Sequence, residues 1–111
     1  MLLAAHRMRS RSDFAITRTG RKAATSTLVL HLDAHGDTAP RVGLIVSRSV
    51  GGSVARHRVS RRLRGVVAPR IGRLPAGSRL VVRALPASAA ASSAALAADL
   101  DSALTRLGVP A

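Results

Sequence analysis

Between Ser53 and Arg64 the chain reads SVARHRVSRRLR: five arginines, Arg56, Arg58, Arg61, Arg62 and Arg64, with His57 among them and no acid. A guanidinium is a planar, permanently charged fork that grips a phosphate through two hydrogen bonds and stacks on flat rings. The chemistry these residues can do is therefore anion recognition. At about 100° per residue on a helix, Ala55, Val59, Leu63 and Val66 fall on one narrow apolar stripe. His57, Arg61 and Arg64 stand on the opposite side with Arg58 beside them, and Arg56 and Arg62 flank the stripe. An ordinary solvated helix face interleaves Glu or Asp with its cations at i,i+4. This one has none, so phosphate binding is a better reading than inert surface.

Bond-breaking chemistry finds little support in the side chains. The five acids, Asp13, Asp33, Asp37, Asp99 and Asp101, are scattered, with no carboxylate cluster to hold a catalytic Mg²⁺. The four histidines, His6, His31, His35 and His57, show no metal-ligand spacing such as His-Glu-x-x-His. His35 falls in a polar loop, whereas His31 lies within an apolar strand, either packed in the core or facing a cleft. With no Cys, disulfides and Cys-based zinc sites are excluded.

The chain is basic well beyond its centre. Eighteen Lys and Arg face five Asp and Glu, a net charge of +13, and Lys22 is the only Lys. A GC-rich coding sequence accounts for Arg in place of Lys but not for the net charge. Self-repulsion on that scale disfavours folding, and a polyanionic partner is its natural counterweight. A hydrophobic fraction of 47% is ample for a core in 111 residues, which suits one domain spanning 1–111. No apolar run approaches the ~20 residues needed to span a bilayer. The start, MLLAAHRMRSRSDF, has the Arg/Ser bias of a transit peptide, but a globular first helix accounts for the same residues.

The arginine helix must be held by other elements. Ser12-Asp13 suits an N-cap for a short helix through Phe14 and Ile16 ending near Gly20. Thr25–Leu32 (TSTLVLHL) and Arg41–Ser47 (RVGLIVS) read as strands. The DAHGD turn between them predicts an antiparallel hairpin. Gly51-Gly52 breaks the extended chain, and Ser53 is positioned to cap the central helix. Arg79–Leu85 (RLVVRAL) reads as a third strand ending at Pro86. The Ala/Ser run from Ala87 favours helix; Leu96, Leu100, Leu104 and Leu107 share one face, closed by Gly108 and Pro110. The order helix-strand-strand-helix-strand-helix predicts an α/β (α+β) two-layer sandwich on a small mixed sheet.

The run SRSVGGSVARHRVSRRLRGVV, Ser47 to Val67, following RVGLIV, resembles the signature of the bacterial ribonuclease P protein component. That family carries Gly-Asn, Val, Arg-Asn-Arg, Lys-Arg and a further Arg; Gly51, Val54, Arg56, Arg58, Arg61 and Arg64 match. Gly52 and His57 stand where the family usually has Asn, and Ser60 where it has Lys. The likeness extends to HRMRSRSDF near the N-terminus and to RLVVRALP.

The resemblance implies that a catalytic RNA subunit holds the metals and cleaves precursor tRNA, leaving a 5′-phosphate on the mature tRNA. The holoenzyme then needs Mg²⁺, the protein alone binds no cofactor, and no protein partner is implied. Arg48, Arg56, His57, Arg58, Arg61, Arg62 and Arg64 would contact RNA. Phe14 and His31, with Arg7 and Arg9, would line a cleft for the single-stranded 5′ leader. The location would be cytoplasmic. It also implies a left-handed crossover through the arginine helix, although such crossovers are right-handed in about 98% of cases. The competing function is a small basic ribosomal protein, which shares the composition but has no reason to carry this arginine spacing. A groove-reading DNA-binding protein would need that helix free of the body, and its apolar stripe argues that it is packed.

Overall fold

The computed structural model describes residues 20–111. The expected first helix, and with it Arg7, Arg9 and Phe14, lies outside that range. Four strands, β1 (Arg21–Ala24), β2 (Leu28–Ala34), β3 (Arg41–Ile45) and β4 (Ser78–Ala84), form one mixed sheet in the order β1-β2-β4-β3. Two helices, α1 (Ser53–Val67) and α2 (Ser93–Arg106), pack on it. Short 3₁₀ segments occupy Arg48–Val50, Ala68–Arg73 and Pro86–Ala90.

Strand alternation sorts the side chains into two layers. Leu28, Leu30 and Leu32 of β2, Val42 of β3, and Leu80, Val82 and Ala84 of β4 join one buried cluster. Val59, Leu63 and Val66 of α1 and Leu96, Leu100, Ala103 and Leu104 of α2 complete it. The predicted stripe of α1 is thus the core stripe, with Ala55 half-buried at its start. Truncating the fully buried Leu63 to Ala would cost about 2–5 kcal/mol.

The predicted hairpin between the first two expected strands, which are β2 and β3 of the sheet, does not form. β4 lies between β2 and β3, antiparallel to β2 (Leu30↔Val82, His31↔Val81) and parallel to β3 (Val42↔Leu80). β4 is the strand whose Leu80, Val81 and Val82 are buried on both faces, so it occupies an interior position. β3 becomes an edge, and because it runs parallel to β4 the chain must return through a crossover, which α1 supplies.

A tight hairpin occurs earlier instead, where β1 pairs with β2 (Lys22↔His31, Ala24↔Val29). The expected strand from Thr25 begins only at Leu28. The amide of Thr25 donates to Leu28 O at 2.7 Å, and the Leu28 amide donates back to Thr25 Oγ1 at 3.0 Å, closing a turn.

Both helix starts differ from expectation. The cap of α1 is Gly52, with Ser53 already helical and no side-chain cap bond. The Ala/Ser run breaks after Ala90, and Ser92 starts α2 by accepting a 3.1 Å bond from the Ala95 amide. At the other end Gly108, with φ +83°, lets its own amide reach Thr105 O and that of Val109 reach Leu104 O, so α2 closes where expected.

Candidate nucleic-acid interface

Because Val59 and Leu63 are driven into the core, the residues half a turn away must face water. His57, Arg61 and Arg64 are exposed on that outer side, together with Val54 at 78% exposure. Arg48, in the 3₁₀ segment just before α1, is exposed as well. The flanking arginines behave differently. Arg62 Nη1 donates to Ala91 O at 2.8 Å, and Arg58 Nη2 donates to Ala89 O at a longer 3.4 Å. Both guanidinium groups are half-buried along the segment leading into α2. Arg56, on the opposite flank, is half-buried with its Nε enclosed and lacking a hydrogen-bond partner.

The acids sort the remaining arginines. Asp101 on α2 accepts from Arg70 Nε at 2.7 Å and Nη2 at 3.0 Å, and from Arg73 Nη1 at 2.7 Å. Those bonds, Arg70's above all, pull its carboxyl down to about 2, and Asp101 in turn raises Arg70. Asp33 on β2 holds Arg79 at 2.8 Å and His35 at 3.0 Å, and its carboxyl is likewise lowered, chiefly by Arg79. Asp99 is engaged by the Thr27 and Ser26 hydroxyls and lowered mainly by Thr27. Among the described residues, no acid pairs with an arginine of α1. The charge of α1 is left without an acidic partner among those residues.

His31 belongs to a second surface. In β2 it alternates with Leu30 and Leu32, so it lies on the sheet face turned away from α1 and α2, cross-strand from Lys22 and Val81. It is buried, and its imidazole is pushed below the usual histidine range, first by burial and then by Arg83 and Lys22. The sheet therefore separates His31 from the arginine face. Lys22 and the exposed Arg83 are basic companions of His31 that sequence reasoning passed over. Alternation in RLVVRAL does place Arg83 with Val81 on the face opposite Leu80 and Val82, but nothing in the sequence says that β4 pairs with β2.

Chemically, both surfaces present basic side chains, which suit an anion. Among the described residues no three His, Cys, Asp or Glu side chains gather to hold a metal ion, so a catalytic Mg²⁺ finds no protein ligand set there.

The family model described as ribonuclease P matches residues 2–108. The chain belongs to the ribonuclease P protein family. Ribonuclease P protein components of Acidothermus cellulolyticus and Streptomyces bikiniensis are each 50% identical to it. Those alignments cover 96% of this chain and 92% and 95% of the relatives. Solved RNase P proteins share its fold. That of Staphylococcus aureus aligns with a TM-score of 0.82 at 22% identity, covering 95% of this chain and 97% of its own. That of Thermotoga maritima aligns with a TM-score of 0.77 at 24% identity, covering 90% and 96%. The ribosomal-protein alternative gives way to the ribonuclease P family. The protein is a component of the endoribonuclease that matures tRNA 5′ ends, and its mixed sheet and two described helices are those of a ribonuclease P protein.

Proposed function

We propose that α1 docks the catalytic RNA subunit of ribonuclease P, and that the sheet face around His31 holds the 5′ leader of precursor tRNA. The observation that carries this reading is the sorting of charge. Asp33 and Asp101 engage Arg79, Arg70 and Arg73, while the exposed Arg61 and Arg64 of α1 have no acid among the described residues. Unneutralised guanidinium groups at helical spacing match the repeat of an RNA backbone, and the release of condensed counterions drives such binding. Arg48, Arg56, His57, Arg58 and Arg62 belong to the same surface. Arg58 and Arg62 contribute from its packed flank.

On the other face Lys22 and Arg83 supply charge beside the neutral His31 imidazole and an apolar strand surface, which suits a single strand whose bases lie on the sheet. Phe14, Arg7 and Arg9 complete that leader site in this reading. With Phe14 the only aromatic residue of the chain, leader recognition is directed mostly at the backbone. The RNA subunit holds the Mg²⁺ of the holoenzyme, and the protein's part is to position substrate. A cytoplasmic location follows from these partners.

The test is reconstitution. RNA-free protein leaves precursor tRNA intact at every Mg²⁺ concentration, and adding the catalytic RNA produces cleavage at the mature 5′ end. Site-specific cutting by the RNA-free protein would overturn the proposal.

A further inference from the structure

The flank of α1 that carries Arg56 does not pack flush against the sheet edge. It leaves a pocket of about 410 Å³, within the size range of small-ligand sites. Leu44 of β3 and Val46 just beyond it line one side; Ser53, Arg56, His57 and Ser60 line the other. The four α1 residues fall at i, i+3, i+4 and i+7, so one flank of the helix presents them all.

The lining is chemically two-sided. A bare phosphate has no use for Leu44 and Val46, and an apolar ligand would strand the hydroxyls and the guanidinium. The occupant that satisfies both sides is a flat heteroaromatic ring with polar edges. Aliphatic side chains cover its face, a guanidinium or imidazole stacks on it, and hydroxyls read its rim. Arg56 supplies a second, independent observation: its Nε is buried and makes no hydrogen bond. Buried donors are almost always satisfied, so a small turn of the Arg56 side chain that brings this orphan to the pocket would gain a hydrogen bond to an incoming acceptor. The surrounding charge says which partner. The pocket opens beside the exposed His57 on the helix whose arginines have no acid among the described residues, so a ring tethered to a phosphate backbone is favoured over a free one.

We propose that this pocket receives one unstacked base of single-stranded RNA whose backbone lies along α1. The inference rests on the RNA-binding reading above and adds a position-specific contact to it. The phosphates engage Arg61 and Arg64 while one base turns under the helix between Arg56 and Val46. That base comes either from the catalytic RNA or from the leader; the chemistry is the same.

An abasic scan tests it. Single-stranded nucleotides of the catalytic RNA, and separately of the precursor-tRNA leader, are replaced one at a time by abasic sugars, and affinity for the intact protein is measured. One position should lose about tenfold while its neighbours lose less than about twofold. The RNA in which that position lies names the source of the base. Ser60→Phe fills the pocket with a ring of its own, so the unmodified RNA should then bind as weakly as the abasic one, with no further loss at that position. A flat scan in the wild-type protein overturns the pocket, and so does a sensitive position whose penalty persists in Ser60→Phe. Neither result touches the phosphate contacts, which keep binding steeply salt-dependent. Binding that is insensitive to salt would instead overturn the RNA-binding reading itself.

Discussion

Arg62 and Ala91 are joined by a 2.8 Å hydrogen bond from the guanidinium Nη1 to the backbone carbonyl oxygen. Ala91 sits between the 3₁₀ segment and the Ser92 cap of α2, so this bond ties the arginine helix to the entrance of the second helix. Arg61, one residue earlier, is exposed and bonds to nothing among the described residues. Adjacent arginines in the sequence thus do different work, because about 100° of helix rotation carries one to a neighbouring element and the other to solvent.

Single substitutions should separate the two. Arg62→Ala is expected to lower stability by about 1–2 kcal/mol, the loss of a half-buried charged hydrogen bond and its packing. Arg61→Ala should stay within about 0.5 kcal/mol of the wild type while weakening RNA binding more than Arg62→Ala does. Urea unfolding beside a binding titration checks both, and equal effects on both readouts would refute the distinction.

Replacing Arg61 and Arg64 together by Ala removes two exposed phosphate contacts. The slope of log affinity for the catalytic RNA against log salt should flatten by about two. An unchanged slope would place the contacts on another surface.

Asp101 makes the fold acid-sensitive. Its carboxyl is held at about 2 by Arg70 and Arg73, below the unfolded value near 3.8. A depressed carboxylate contributes stability that is complete above its unfolded value and lost as pH falls through the folded one. Asp33 and Asp99 are shifted in the same direction. Stability should therefore decline from about pH 4 toward pH 2. Asp101→Asn should be less stable than wild type at pH 7, by about 1 kcal/mol once the carboxylate's exposure is discounted, with a shallower acid decline. Melting temperatures across that range decide it.

His31 acts near neutrality. Folding keeps its imidazole below the ordinary 6.5, so the unfolded chain binds the proton more readily. The contribution of neutral His31 is complete above about pH 6.5 and erodes as pH falls. His31→Phe should remove that part of the slope between about pH 7 and 5, and the imidazole resonance followed by NMR should titrate below an exposed histidine's. A resonance titrating at or above 6.5 would contradict the burial argument.

Two glycines with the same backbone angle should respond differently to Ala. Gly36 and Gly77 both have φ +76°, but a Cβ at Gly36 meets open space, whereas at Gly77 it would lie 2.3 Å from the His35 carbonyl oxygen. Gly36→Ala should cost about 1 kcal/mol for the left-handed conformation alone. Gly77→Ala should cost well over 2 kcal/mol, because the His35–Gly36 backbone or the turn leading into β4 must move. Thermal melts of the two variants make the comparison.

The legible part of this protein was whatever a period in the chain encodes. Val59, Leu63 and Val66 at helical spacing, set against His57, Arg61 and Arg64, established both the core stripe and the charged face of α1 from a single element. Leu96, Leu100 and Leu104 did the same for α2, and Gly108 marked its end. TSTLVLHL and RLVVRAL were legible as strands, although the face of His31 was left open between core and cleft. The partners of those elements were not legible, because a period says which side of a strand is buried but not which strand lies beside it. The insertion of β4 between β2 and β3 follows from burying Val81 and Val82 on both faces at once, a property of the assembled sheet. Pairing with β2 likewise makes a strand of Arg21–Ala24, whose residues have no strand preference. The company of His31, the tether of Arg62 and the unsatisfied Nε of Arg56 are long-range facts of the same kind. Each depends on residues about 10 to 50 positions away, brought within a few ångströms only when the sheet and two helices close on one core.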